Sequence, residues 1–195
     1  SSIPLIVPEV NLNELEKFSL IDDLWSSVTS NNNNINTFYE LCMKLNLDNS
    51  IDLQSLIVST FGVGKRYANE KNKEKMIKII DSYLENLLNN IGSEYDEKEN
   101  VKTTELRARI FRGLGITCEN TKYIDTAKNL YSKYLSDKNS VEPNLAASAI
   151  AIIAQNGDKK LHTEFFEKYT STQVPQEKIR FLFSLSEFKL SLIHI

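Results

Sequence analysis

The sequence predicts an all-α fold of stacked antiparallel helix pairs, a short α-solenoid. Three observations carry that prediction. Apolar residues recur at helical spacing along almost the whole chain. The stretch Val141–Leu185 reads as three helices joined by short turns, opened by Pro143, broken at Gly157 and reopened by Pro175. The first of these helices has almost no wet face: Leu145, Ala149, Ile152 and Ile153 share one side, and Ala146, Ser148, Ile150, Ala151 and Ala154 fill the other. A helix apolar nearly all round is covered on both sides, and a stack of helix pairs produces such sandwiched helices.

In chain order, Ile3–Val10 reads as an extended entry segment or linker, so residues 1–10 stand apart from a single helical-repeat domain over 11–195. Asn11 or Asn13 can cap a first helix, in which Leu15, Phe18, Ile21, Trp25 and Val28 keep the 3.6-residue period. Asn31–Asn34 is a polar loop that cannot contribute to a core. Thr37 can cap the next helix, with Phe38, Leu41, Cys42 and Leu45 on its apolar side. Asp52 can cap a third, carrying Leu53, Leu56, Ile57 and Phe61 and interrupted near Gly62 and Gly64.

The charged stretch Asn69–Lys75 should be solvated. It leads into the most amphipathic helix of the chain, with Met76, Ile80, Tyr83, Leu84, Leu87 and Ile91, stopped by Gly92. Ser93–Thr103 reads as a loop. Thr104 can cap Glu105–Gly115, where Leu106, Ile110, Phe111 and Leu114 line one face and Arg107, Arg109 and Arg112 occupy the rest. Tyr123–Leu135 puts Ile124, Ala127, Tyr131 and Tyr134 on a stripe.

Pro143 suits the first turn of its helix, where the missing N–H has no partner to lose, and Gly157 suits the left-handed position past its end. Pro175 opens the last helix, with Ile179, Leu182 and Phe183 on one side. The tail Phe188–Ile195 alternates apolar and polar residues and reads as strand or helix. Nothing in it marks an end, which predicts a domain truncated at its C-terminus. Corresponding helices begin near Leu106, Leu145 and Ile179, 39 and 34 residues apart. Two-helix repeats of the HEAT or armadillo type fall in that range.

The totals set limits on function. A net charge of −3 and a pI near 5.5 argue against a general nucleic-acid binder. No apolar run approaches the ~20 residues needed to span a bilayer, so no membrane partner is expected. The start, Ser-Ser-Ile-Pro-Leu-Ile-Val-Pro, has no basic region and is no signal peptide. It lacks an initiator Met, so the chain is expected to begin inside a longer protein. Cys42 and Cys118 make no disulfide framework, and no asparagine opens an Asn-x-Ser/Thr sequon. A cytoplasmic location is expected.

Chemistry is sought and not found. His162 and His194 are too far apart for a zinc-peptidase helix, which needs two histidines one turn apart around a glutamate. Gly62-Val63-Gly64-Lys65-Arg66 faintly resembles a phosphate loop, but Ser59 stands where the first glycine belongs and Arg66 where the magnesium-binding hydroxyl belongs. No G-x-S-x-G elbow is present, and Cys118 has no histidine near it in sequence. Asp22-Asp23 and the pair Glu97 and Glu99 read as solvated carboxylates. Arg107, beside the apolar Leu106, has two readings. It can pair with a buried acid, or hold the carboxylate end of a bound peptide. Tyr83, Tyr131 and Tyr134 read as core with wet hydroxyls rather than as a ligand cage.

A family resemblance adds to this. Leu87-Leu88-Asn89-Asn90-Ile91-Gly92, a charged loop, and then Thr104-Glu105-Leu106-Arg107 opening a helix resemble the C-terminal helical domain of the M1 zinc aminopeptidases. That group contains the puromycin-sensitive enzyme, the endoplasmic-reticulum aminopeptidases and the tricorn-interacting factors. The resemblance runs on through Ala127 and Tyr131, Val141-Glu142-Pro143-Asn144-Leu145, Asn156-Gly157-Asp158, Tyr169 and Gln176-Glu177-Lys178, as far as Leu185. Leu20-Ile21-Asp22-Asp23 is similar to the first helix of that domain. Ala146 and Asn144 depart from the arginine and aspartate usual in the family, and no Trp lies around Asn49–Leu53.

The resemblance implies a helical domain that encloses the substrate cavity and gates peptide access. The zinc motif H-E-x-x-H and the exopeptidase loop G-x-M-E-N lie in an upstream catalytic domain of the same polypeptide. It therefore implies no catalytic, cofactor-binding or metal-ligating residue in this chain, leaves its peptide-contacting residues unassigned, and makes the catalytic domain and peptide substrates its partners. The alternative is a stand-alone α-solenoid scaffold that binds a protein or peptide in its groove.

Overall fold

A computed structural model describes residues 12–45, 50–68 and 70–189. The segment Ile3–Val10 and the end of the tail, from Leu190 on, lie outside the described residues. Among those described, the regular structure is helical, and the chain divides into two compact units, Ser1–Met76 and Ile77–Ile195.

In the first unit α1 (Glu14–Thr29), α2 (Ile35–Lys44) and α3 (Ile51–Tyr67) pack on one another. Asn13 starts α1 with a reciprocal capping box: its side chain accepts from the Glu16 N–H, and its own N–H donates to the Glu16 carboxylate at 2.8 Å. Of the stripe expected on α1, Ile21 and Val28 are buried and Trp25 is half-buried, while Leu15 and Phe18 face solvent. A row of rings runs through the core, Trp25 to Phe38 to Tyr39 to Phe61, with centroids 5.2 Å apart at each step.

Two caps differ from expectation. Asn34, not Thr37, caps α2, and Ser50, not Asp52, caps α3. The earlier start draws Ile35 into α2, where it is buried, and leaves Asp52 in the favourable first turn of α3. Nor do Gly62 and Gly64 interrupt α3. A helical glycine costs only about 1 kcal/mol, and Gly64 offsets that by letting the Tyr39 phenol lie against the helix backbone.

The helix α4 (Glu70–Ile91) begins in the first unit and continues into the second. Of the charged stretch before Met76, Glu70, Glu74 and Lys75 are exposed, and the chain is helical from Glu70 on, with Lys73 paired to Glu70. Met76, Ile80, Leu84 and Leu87 are buried, and Gly92 ends the helix at φ 81°.

The second unit holds α5 (Val101–Arg112), α6 (Thr121–Ser136), α7 (Pro143–Gln155), α8 (Lys159–Ser171) and α9 (Pro175–Leu185). Asn100 rather than Thr104 caps α5, so the expected loop ends earlier. A π turn, Gly113–Thr117, follows α5. There Gly115 lies against Ile152 of α7, whose side-chain carbons stand 2.6 Å from where a Cβ would be.

The helix α7 is sandwiched as its composition demands. It packs against α5, α6 and α9, and Ala146, Ala149, Ile150, Ala151, Ile152 and Ala154 are buried; Ala146, Ile150 and Ala154 meet the rings of Tyr131, Tyr134, Phe165 and Phe181, while Ser148 turns to α5. Its one buried hydroxyl, Ser148, donates to the Ala108 carbonyl at 2.9 Å. Phe165 of α8 and Phe181 of α9 meet edge to face, centroids 5.2 Å apart.

One expectation fails here. Gly157 is not left-handed; among the described residues Gly92 is the glycine with positive φ. Asn156 caps α7, and the bare Cα of Gly157 admits the ring of Phe188, whose Cε1 lies 2.6 Å from a Cβ position. On α9, Ile179, Leu182 and Phe183 share one side as expected, and it is the side turned from the core. Those residues are exposed, and Phe181 and Ser184 are buried. Both faces are apolar, so periodicity alone could not choose between them.

Candidate functional site

The strongest polar constellation is built around Arg107. α5 carries this residue inward, one position beyond the buried Leu106, and it is itself 4% exposed. Its Nη2 donates to Glu99 Oε2 at 2.7 Å and to the Ile91 carbonyl at 3.3 Å. Nη1 donates to Glu99 Oε1, and Nε donates to the Gly92 carbonyl at 2.8 Å. The Thr104 hydroxyl donates to the same Glu99 carboxylate at 2.8 Å.

The guanidinium thus closes the C-terminal end of α4 and fastens the loop between α4 and α5. The Arg107 hydrogen bonds hold the Glu99 carboxyl below the usual carboxylate range against the opposing effect of burial, and Thr104 adds to them. Of the two readings of Arg107, the structure gives pairing with a buried acid. Four of its donor contacts are already made within the chain, so it does not present its fork to a peptide carboxylate.

A second cluster joins α6 to α9. The Tyr134 hydroxyl donates to Glu177 Oε1 at 2.5 Å, Lys138 Nζ reaches the same oxygen, and the Thr172 hydroxyl donates to Oε2 at 3.0 Å. Burial alone would raise the Glu177 carboxyl, but these donors hold it down to about 2. Arg180 lies over the Tyr134 ring at 5.2 Å and donates to the Pro143 carbonyl. Nearby, the Tyr131 hydroxyl donates to Glu164 at 3.0 Å. Burial pushes the hydroxyl pKa of both tyrosines up, so they stay protonated and act as donors. Tyr131 and Tyr134 are core as expected, but their hydroxyls are not left to solvent: Glu164 and Glu177 accept from them.

The other singled-out residues do not converge. His162 is half-buried with its ring edge-on to Phe188, centroids 5.0 Å apart, and His194 lies outside the described residues. Gly62–Arg66 is continuous helix within α3 and forms no phosphate cradle. Asp22 and Asp23 are exposed on α1, and Glu97 is exposed, whereas Glu99 belongs to Arg107. Cys42 is buried in the first unit, which pushes its thiol up to about 12. Among the described residues no group of three or more His, Cys, Asp or Glu side chains could hold a metal ion. No helix among them is long and apolar enough to cross a membrane.

Sequence reasoning missed Glu99 as the partner of Arg107 and Glu177 as the partner of Tyr134. Glu99 sits in a run of charges without periodicity, and only the return of the chain after Gly92 brings it to α5. The available signal was the inward position of Arg107 beside Leu106. What these clusters do chemically is hold helix ends at fixed separations.

Against known proteins, the family model described as ERAP1-like C-terminal domain matches residues 3–191. Over 123 residues the chain is 24% identical to Aminopeptidase 2 of Candida albicans (strain SC5314), a stretch that covers 63% of this chain but 13% of that relative. No solved structure matches the chain significantly.

Proposed function

The chain belongs to the ERAP1-like C-terminal domain family, and on that footing we propose that it walls and gates the substrate chamber of a zinc-dependent M1 aminopeptidase. In this reading the zinc, its ligands and the general base belong to an upstream catalytic domain of the same polypeptide. This chain supplies the helical surface past which peptides reach them. It is an aminopeptidase C-terminal domain by family; the enclosing role is the proposal.

The observation that carries it is the family match over 3–191 on a chain whose helices pack in pairs. The internal use of Arg107, Glu99, Tyr134 and Glu177 supports it. Ionisable groups placed to react are held at a tuned pKa in a cleft, whereas these fasten helix ends. Layered helices also suit gating, because a stack can move as a body against a neighbouring domain.

The test has two readouts. The parent reading frame should contain H-E-x-x-H followed by a distant glutamate upstream of Ser1. The parent protein should release amino-terminal residues in a zinc-dependent way, while this chain releases none with or without added zinc. Turnover by the isolated chain would refute the reading. A parent without the motif would leave a peptide-binding scaffold instead.

A further inference from the structure

Asn156-Gly157 is the one Asn-Gly pair of the chain. Such a pair is chemically labile, because a residue without a side chain leaves its backbone nitrogen open to attack the neighbouring amide. The reaction is intramolecular. The Gly157 nitrogen gives its proton to water and bonds to Cγ of Asn156; the Cγ–Nδ2 bond breaks, and the amide nitrogen takes up a proton and leaves as ammonia. Water then opens the succinimide. Attack at Cγ gives aspartate, and attack at the backbone carbonyl carbon gives isoaspartate.

The fold holds this pair in an unreactive geometry. Ring closure needs Cβ and the Gly157 nitrogen eclipsed about the Cα–C bond, and at ψ 5° Asn156 keeps them far from that arrangement. The Gly157 N–H donates to the Ala154 carbonyl at 3.0 Å, and Asn156 Nδ2 donates to the Ile152 carbonyl at 2.8 Å. Both reacting groups are thus engaged by the last turn of α7. Against them lies the ring of Phe188, its Cε1 2.6 Å from where a Gly157 Cβ would stand. That ring meets Phe165 edge to face at 5.5 Å. Its own segment, 186–189, is tied down on each side of the ring, Glu187 pairing with Arg112 and Lys189 with Glu119.

We propose that Asn156 is a site of spontaneous deamidation gated by Phe188, which must lift before Gly157 can turn its nitrogen onto Cγ. The two ion pairs are partly exposed and contribute little, so the segment 186–189 opens more often than the helices it covers. The change is one-way. It replaces the Asn156 N–H donor with a carboxylate at the negative end of α7, near Asp158 in sequence, and isoaspartate adds a backbone carbon beside the Phe188 ring. Either product holds Phe188 less firmly than asparagine does, so the event records an opening and then favours the open segment. None of this depends on the peptidase reading.

Mass spectrometry of the 195-residue chain, incubated in mildly alkaline buffer, tests it, with electron-transfer fragmentation to separate aspartate from isoaspartate. Asn156 should deamidate many-fold more slowly in the native chain than in the guanidinium-unfolded chain. Phe188→Ala should raise the native rate several-fold. Glu187→Lys, which repels Arg112 without hollowing the core, should raise it less, and it decides the matter if melts show Phe188→Ala unfolded. Asn156→Asp should speed hydrogen exchange in 186–189 and leave α5 and α6 unchanged. Equal rates in native and unfolded wild type would overturn the proposal, as would a native rate that the folded gate variants leave unchanged. An equal acceleration by Gly64→Ala, in the other unit, would make global unfolding the gate and overturn it too. So would unaltered exchange of 186–189 in Asn156→Asp.

Discussion

Arg107 and Glu99 meet in a two-pronged ion pair, Nη2 to Oε2 at 2.7 Å, with the arginine also capping the last carbonyls of α4. Their side chains are 5% and 15% exposed, so water can make up only part of what the pair supplies. Arg107→Leu should destabilise the chain by about 3 kcal/mol, because it strands a half-buried carboxylate and two helix-end carbonyls. Arg107→Lys should recover only part of this, since a single ammonium cannot reproduce the fork. Urea unfolding of both variants checks it, and hydrogen exchange should show faster opening of 93–100. Wild-type stability in Arg107→Leu would contradict the assignment.

Gly64 is the second sensitive point. A Cβ there would stand 2.0 Å from the Tyr39 hydroxyl oxygen, and that ring is wedged among Phe38 and Phe61. Gly64→Ala should therefore cost about 1–3 kcal/mol despite the better helix propensity of alanine. Adding Tyr39→Phe, which removes the clashing oxygen, should return part of that cost. A thermal-melt double-mutant cycle measures the coupling, and strictly additive effects would reject the contact.

The π turn offers a parallel case with an aliphatic partner. Gly115→Ala would press its methyl into Ile152, whose Cδ1, Cγ1 and Cγ2 lie within 2.8 Å of the Cβ position. A loss of about 2 kcal/mol is expected. Ile152→Ala makes room for that methyl but also leaves a cavity, so the double variant should be less destabilised than the two single losses summed. Circular-dichroism melts of the three variants decide it.

Glu177 sets an acid limit. Its carboxyl titrates near 2 in the fold against an ordinary 4.5, held by Lys138, Tyr134 and Thr172. A carboxylate with a lowered folded pKa contributes stability that is complete above the unfolded value and lost as pH falls through the folded one. The contribution, on the order of 2 kcal/mol after discounting solvent screening of the half-exposed Lys138, should vanish between about pH 4.5 and pH 2. Glu177→Gln should flatten the stability profile over that window while leaving a loss at pH 7. An unchanged slope below pH 4.5 would show that the cluster contributes nothing.

Much of the architecture is legible in the residues. Pro143 and the two-sided apolarity of α7 announce a sandwiched helix, and Gly92 announces the end of α4. What escapes is whatever a distant contact decides. Gly64 looks like a helix breaker until Tyr39, far away in sequence, is seen against it. The apolar face of α9 that is buried cannot be chosen by period, because Ile179–Phe183 and Phe181–Ser184 both fit a helix. Caps at Asn34, Ser50 and Asn100 were each missed by a few residues. Each segment offers several capping side chains, and the one used brings the neighbouring apolar residues into the core. Arg107 was identifiable as an inward charge, but Glu99 was not identifiable as its partner.

The proposed role, walling the chamber through which peptides reach a zinc site held elsewhere in the polypeptide, is open to direct test. The most direct measurement is photo-crosslinking in the zinc-loaded parent enzyme, using a long peptide substrate with a diazirine near its C-terminus and a short aminoacyl reporter with the same group. The account predicts that the long peptide labels residues within Glu14–Leu185, competed away by unlabelled peptide, while the short reporter labels only upstream sequence. Long-peptide crosslinks confined to the upstream domain would contradict it.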